Sequence, residues 1–326
     1  PDTEKSRSGI AVFIEEKALK YRLYLLDFYN GVHFGKGNLD STELTFHADT
    51  FFSALFQEAL KLGKEEEFLS ESENGRIVFS DAFPYMGQTY YIPKPMVQAD
   101  VKDVNSKGDS TEKKLFKNMK YIPLEHIEKF MTGDFPKEHL EDMKKLGKYS
   151  MKVSAGIRGN EEPEPYRVNA FYFGDGNGLY IIAGYQNESA LNLFEELLKS
   201  LSYRGMGGKK SSGLGRFEYC GKAVPKEIED KIAVKGSRNI LLSTALPEDS
   251  ELSDVLNDAS YSLIKRSGFV DSETYAAQQM RKKDLYVFAP GSCFRNPFEG
   301  RIIKEKNGGT HPVFRYERAF FLGVNV

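Results

Sequence analysis

The sequence predicts an α+β fold of two ferredoxin-like domains, the first interrupted by an insertion and carrying a glycine-rich loop. Three observations carry this expectation. With residues 81–166 set aside as the insertion, residues 21–222 read strand, helix, strand, strand, helix, loop, strand, the βαββαβ order shared by RNA-recognition domains. The 326 residues exceed the size at which one apolar core usually stops growing. A smaller run of strands with one helix occupies residues 223–326, although no sequence repeat relates it to the first.

Taken in order, residues 1–20 are a polar, mixed tail with no assigned role. Residues 21–29 (YRLYLLDFY) form an expected buried strand. The next turn, Asn30 to Gly37, carries His33, Gly35 and Lys36. Asp49 or Thr50 is placed to cap a helix whose apolar face is Phe52, Leu55, Phe56, Ala59 and Leu60, stopping at Gly63. A short strand follows at 76–80. Residues 81–95 form an expected hairpin turning near Gly87, with Phe83, Tyr85 and Met86 before the turn and Tyr90, Tyr91 and Lys94 after it. Residues 100–118 are lysine-rich and expected as a mobile loop, with helical patterns at 124–131 and 136–146. Strands are expected at 149–157, 167–174 and 179–184, and residues 159–165 form an acidic, proline-bearing surface loop. Asn187 or Ser189 then starts a helix through Leu191, Phe194, Leu197, Leu198 and Leu201. In the second half, strands are expected at 239–244, 261–265, 284–288 and 313–322, with a helix near 250–258.

That helix runs into the most informative stretch. From Arg204 to Phe217 there are five glycines, four cations, two serines and no acid. Glycine takes positive φ without a Cβ clash, so such a segment turns sharply and brings bare backbone to a ligand. Free N–H groups, hydroxyls and cations together suit an anion, and phosphate above all. The stretch lacks the Gly-Lys-Ser/Thr end of a P-loop. It also follows a helix and precedes a strand, the reverse of a dinucleotide fingerprint. A loop lying along a polynucleotide backbone fits this order. One or two glycines suffice for an ordinary helix–strand connection closed at Gly205; five glycines with four cations exceed that need.

Composition narrows the function class. The net charge of −2 requires any nucleic-acid contact to concentrate its cations locally. Cys220 and Cys293 are too few for a zinc site or a disulfide framework, and a reduced compartment is expected. No apolar run approaches the ~20 residues of a membrane span. A cytoplasmic protein without membrane contact, metal or cofactor is expected.

Six stretches, in this order, bear a family likeness: Val32-His33-Phe34-Gly35, Phe46 to Leu55, Gly207 to Phe217, Lys265 to Val270, Phe288 to Phe294, and His311 to Tyr316. From Tyr21 onward the chain resembles the fourth-subunit family of the Csm effector complexes of type III-A CRISPR systems, within the RAMP superfamily. The resemblance implies a non-catalytic subunit that grips the 5′ handle of the crRNA. It implies contact with target RNA near the handle end, with the large polymerase-like subunit and with the adjacent backbone RAMP subunit. DNA cleavage and cyclic oligoadenylate synthesis would belong to the large subunit. Such subunits carry a thumb hairpin that displaces a guide–target base pair, here assigned to residues 81–95 through Phe83, Tyr85, Met86, Tyr90, Tyr91 and Lys94.

The RNA contacts are assigned to Gly207, Gly208, Lys209, Lys210, Ser211, Ser212, Gly213, Gly215 and Arg216, joined by His33, Gly35 and Lys36. Lys265, Arg266, Ser267 and Phe269 form a basic-aromatic cluster suited to a phosphate and a stacked base, and Ser292 and Arg295 a second small-residue and cation turn. Arg204 either joins the loop cations or complements its helix dipole. The rival is a metal-independent RAMP endoribonuclease processing repeat RNA with His33 as general acid or base. No tyrosine or lysine partner for His33 is placed by the sequence. A nucleotide-binding enzyme using residues 204–217 is a third reading.

Overall fold

A computed structural model of the chain describes residues 18–35, 37–97, 110–156, 162, 164–272, 276–278, 280–305 and 308–325. The first expected strand is β1 (Lys20–Phe28). Its alternation sends Tyr24, Leu26 and Phe28 to one side of the sheet and Leu23 to the other. Short strands β2 (Phe34–Gly35) and β3 (Thr42–Glu43) lead to α1 (Ala48–Leu62), which ends at Gly63 with φ +66°. Neither Asp49 nor Thr50 caps α1. His47 is the N-cap, and the Ala48 N–H donates to Asp81 Oδ1 at 2.8 Å, so a carboxylate from a distant loop meets the helix dipole. On α1, Phe51 is buried while Leu60 is exposed, a one-residue shift of the expected face.

Helix α2 (Glu65–Glu73) and strand β4 (Ile77–Phe79) follow. The 81–95 hairpin forms as β5 (Phe83–Met86) and β6 (Thr89–Pro93), turning at Gly87 with φ +58°. It lies within the main sheet, not outside it. Phe83, Tyr85 and Tyr91 are buried; Met86, Tyr90 and Lys94 are half-buried. Tyr90 packs edge-on against Tyr180, and Lys94 Nζ donates to the Phe116 carbonyl at 2.8 Å. A wedge needs its aromatics free, so the thumb assignment to this hairpin is corrected.

Within the expected loop 100–118, residues 110–118 are helix α3 (Ser110–Asn118), and the earlier part lies outside the described residues. Strand β7 (Tyr121–Pro123), helix α4 (Ile127–Met131) and a 3-10 segment over Lys137–Lys145 come next. Strands β8 (Gly147–Gly156) and β9 (Glu164–Phe173) pair over their full length as a separate two-stranded ribbon, with most of β8 exposed. Strand β10 (Asn177–Tyr185) leads to α5 (Glu188–Arg204), whose N-cap Asn187 accepts from the Ala190 N–H at 2.9 Å. Strand β11 (Phe217–Ala223) closes the main sheet.

That sheet has the order β11-β1-β10-β5-β6-β7, with β4 also on β10, and every pairing is antiparallel. Helices α1 and α5 cover one face, against Tyr24, Leu26, Leu179 and Ile181. Leu23, Tyr180 and Ile182 on the opposite face are packed by residues 119–130 and by Ile240, Leu242, Leu322 and Val324. The apolar core therefore runs across position 222 without a break. The stack of Phe79 on Tyr316, with centroids 4.5 Å apart, is a second tie.

After α6 (Lys226–Ala233), the remaining elements are β12 (Arg238–Leu241), α7 (Leu252–Val255), β13 (Leu263–Arg266), β14 (Leu285–Phe288), β15 (Cys293–Phe294), β16 (Gly300–Glu305), β17 (Val313–Arg318) and β18 (Phe321–Val324). They make three small antiparallel ladders, β15-β12-β18, β13-β14 and β16-β17, rather than a second four-stranded sheet. The strand expected at 313–322 breaks between Arg318 and Phe321, and β16, unmarked by alternation, pairs with its first part.

Candidate nucleic-acid interface

The glycines after α5 let the chain fold back on itself. Gly205, Gly207, Gly213 and Gly215 take φ of 85°, 85°, 83° and 77°, a region side chains rarely enter. The Met206 N–H donates to the Gly215 carbonyl at 2.8 Å and closes the loop at its neck. A Cβ on Gly215 would lie 1.9 Å from the Met206 oxygen. Lys209 also sits left-handed, at φ 59°, and opens a 3-10 turn over Lys210–Ser212.

This loop docks on the first glycine turn. The Gly208 N–H donates to the His33 carbonyl at 2.8 Å, and the Gly215 N–H to Gly31 at 3.1 Å. Asn30 Nδ2 donates to the Gly213 carbonyl at 3.2 Å. A Cβ on Gly207 would meet the His33 oxygen at 2.5 Å. Two turns far apart in sequence are thus one surface. His33 is 3% exposed and lies under Gly208. Its Nδ1 is 2.7 Å from the Asn169 carbonyl. A carbonyl only accepts, so Nδ1–H donates and fixes the ring.

A groove of about 660 Å³ runs from the joined turns to the start of α1 and the segment around Arg266. It gathers His33, Gly35, Gly207, Gly208 and Lys210 with Arg266, Ser267 and Phe269. Arg266 is not free to meet a phosphate. Its Nε and Nη2 donate to the two Asp49 oxygens at 2.8 and 2.7 Å, and Nη2 also to Thr50 Oγ1 at 3.0 Å. Burial pushes the Asp49 carboxyl up, but the Arg266 guanidinium outweighs it and holds Asp49 well below the usual carboxylate range. Lys210 behaves differently. Burial, then the nearby Arg204, lowers its ammonium from the ordinary lysine value. Burial also lowers Lys282 on the facing wall. Desolvated cations of this kind gain most from an arriving anion.

On the outer side of the loop, Ser211, Ser212 and Arg216 are exposed, and Lys209 Nζ lies 4.7 Å from the centre of the Tyr166 ring on the ribbon. Lys265 is exposed and 3.4 Å from Asp284. Arg204 stands in the last turn of α5, where its dipole role was expected, and donates to Glu58 at 3.1 Å rather than joining the loop cations. Ser292 is corrected: it is fully buried, and its Oγ–H donates to the Ala289 carbonyl at 2.7 Å. Arg295 is exposed but outside the groove. Lys36 lies outside the described residues. Burial pushes the Cys293 thiol up to about 12, which leaves it inert. Among the described residues, no group of three or more His, Cys, Asp or Glu is placed to hold a metal ion, and no helix is long and apolar enough to cross a membrane.

Comparison with known proteins decides the family. The CRISPR system Cms protein Csm4 of Mycobacterium tuberculosis (strain CDC 1551 / Oshkosh) is 37% identical over 305 residues, covering 93% of this chain and 97% of the relative. The chain belongs to the Csm4 family. A relative from Streptococcus thermophilus is 36% identical over 94% of the chain and all of its own length. The model of the CRISPR Csm4 C-terminal domain matches residues 234–324. Among solved structures, a Csm3-Csm4 subcomplex of the type III-A CRISPR-Cas interference complex aligns with TM-score 0.63 and 15% identity, over 94% of this chain and 100% of that one. A Csm1-Csm4 cassette in complex with cA4 aligns with TM-score 0.57 and 20% identity, over 94% and 98%.

Among the lysines and arginines of the groove, two escaped the sequence reading, Lys282 and Arg315, and both lie in the part matched to the Csm4 C-terminal domain. The Arg281-Lys282-Lys283 run was a usable signal. Arg315 stood inside a quoted stretch, but nothing local marks it as facing the groove. Its Nη2 donates to the Arg266 carbonyl at 3.1 Å and steadies β13 from behind.

Proposed function

We propose that the chain is the non-catalytic, guide-holding subunit of a type III-A Csm complex and grips the crRNA 5′ handle across the joined glycine turns. One observation carries this reading: the acid-free loop presents Lys209, Lys210 and Arg216 around a backbone ridge whose glycines leave no side chain in the way. The strand order β11-β1-β10-β4, with α1 and α5 on one face, supports a ferredoxin-like RAMP domain for the first part. Its opposite face is covered, so RNA has to use the loop side rather than the sheet surface that RNA-recognition domains offer. The thumb role passes to the β8–β9 ribbon, where Met151 and Val153 are exposed and lie at alternate positions of one strand. The solved relatives are a Csm3-Csm4 subcomplex and a Csm1-Csm4 cassette, so the protein partners are a Csm3-type backbone subunit and a Csm1-type large subunit. Target RNA near the handle is the remaining partner, in the cytoplasm.

Replacing Lys209, Lys210 and Arg216 together by Glu is expected to strip guide RNA from the assembly. Each single cation-to-Ala change should flatten the log–log salt dependence by about 0.7. Guide retained at wild-type level in high salt by the triple variant would overturn the assignment. Burial of His33 speaks against the endoribonuclease reading. Labelled repeat RNA incubated with the protein in EDTA should stay intact; cleavage that disappears in His33→Ala would restore that rival.

A further inference from the structure

We infer that an acidic groove on the face opposite the glycine turns docks a basic, apolar-tipped segment of the Csm1-type large subunit. The groove holds about 780 Å³ between the β5–β6 turn, α4 with the 3-10 turn Leu124–His126 before it, and α6. Glu125, Glu128, Glu227 and Asp230 line it, against a single cation, Lys231, which is already paired with Glu128. Glu227 and Asp230 are exposed. The groove is not merely acidic, because Val234 is 60% exposed within it and half-buried Tyr90 and Ile228 stand beside it. Carboxylates around an apolar strip complement a segment that alternates Lys or Arg with apolar side chains. They repel RNA, and in a second copy of this chain the acid-free loop that could match them is already given to the guide on the reading above.

Which subunit brings that segment follows from where the groove lies. Tyr90, Ile127 and Ile228 pack with the cluster on the opposite side of the sheet from α1 and α5. A subunit that continues along the same guide has to reach the glycine turns. The far face is left to the partner that does not, and this step rests on the guide-holding reading above. Both ligands can then be held at once.

The test uses full-length chain carrying Glu227→Lys and Asp230→Lys, reconstituted with its cognate Csm1-type and Csm3-type subunits and guide RNA. Affinity for the Csm1-type subunit should fall at least tenfold and lose part of its salt dependence, with Csm3-type binding and guide retention unchanged. Val234→Asp, at an exposed position, should give a similar loss without altering those carboxylates. Csm1-type binding within twofold of wild type in both variants overturns the inference. So does loss of the Csm3-type subunit instead, or loss of guide. Guide retention is read separately, so failure here and failure of the guide-holding assignment are distinguishable.

Discussion

Asp49 and Arg266 stand 217 positions apart, and their paired oxygens and nitrogens close one wall of the groove. A half-buried charge left alone is costly, so Asp49→Asn or Arg266→Ala is expected to lower stability by about 2–3 kcal/mol. The double variant should cost less than the sum, as urea unfolding would show. Because the Asp49 carboxyl is depressed, its contribution is present above the ordinary carboxylate range and disappears as pH falls through the lower folded value. Glu317 runs the other way. It is fully buried, neither carboxylate oxygen has a hydrogen-bond partner, and burial followed by the nearby Asp49 raises it well above the ordinary value. Stability therefore declines as pH rises from the ordinary glutamate value toward the raised one. Glu317→Gln should flatten that decline and raise the melting temperature at pH 7; an unchanged pH profile counts against the assignment. Lys210 gives a third test. A lowered lysine loses its charge sooner, so affinity for single-stranded RNA should fall with rising pH, and Lys210→Arg should remove the fall because guanidinium stays charged. None of these pairings was legible in the sequence. Residue type marks a cation, but only folding decides whether it meets solvent, as at Arg216, an aromatic ring, as at Lys209, or a carboxylate, as at Arg266.

At the scale of elements, the two glycine turns act as one part. Gly215→Ala puts a methyl group against the Met206 carbonyl at a φ of 77°. It should open the neck, weaken guide binding severalfold and cost about 2 kcal/mol or more. Gly63→Ala, at φ 66° with open space around its Cβ position, should cost only about 1 kcal/mol and leave guide binding alone. The loop and both flanking elements were legible because glycine density, charge and helical periodicity agreed over a short span. The helix cap was not, since Asp81 reaches α1 from 33 positions away. The two hairpins show the same limit. Residues 81–95 and the β8–β9 ribbon both carry aromatics in alternation, and no local signal says which will be covered by later chain.

For the whole molecule, the second part serves as the missing layer over the main sheet. Ile240, Leu242, Leu322 and Val324 cover Leu23, Tyr180 and Ile182, so a fragment ending at Ala223 would expose that cluster to water. Such a fragment should aggregate or bind hydrophobic dyes, whereas the full chain should unfold in one cooperative step. A fragment that stays monomeric with a sharp transition would show the first part to be autonomous. The sequence offered two copies of one motif here, because strand count alone does not distinguish a second sheet from three short ladders laid over the first. The β8–β9 ribbon has its own consequence at this scale. Val32 and Phe171 exchange both backbone hydrogen bonds, at 2.8 and 2.9 Å, and the Asn169 N–H reaches the Leu39 carbonyl at 2.8 Å. The ribbon's root is thereby riveted to the turn beneath Gly208, and the ten-residue strands beyond it are a long arm on a short fulcrum. Displacement of the ribbon's described strands would therefore be transmitted, as torque, to the joined glycine turns.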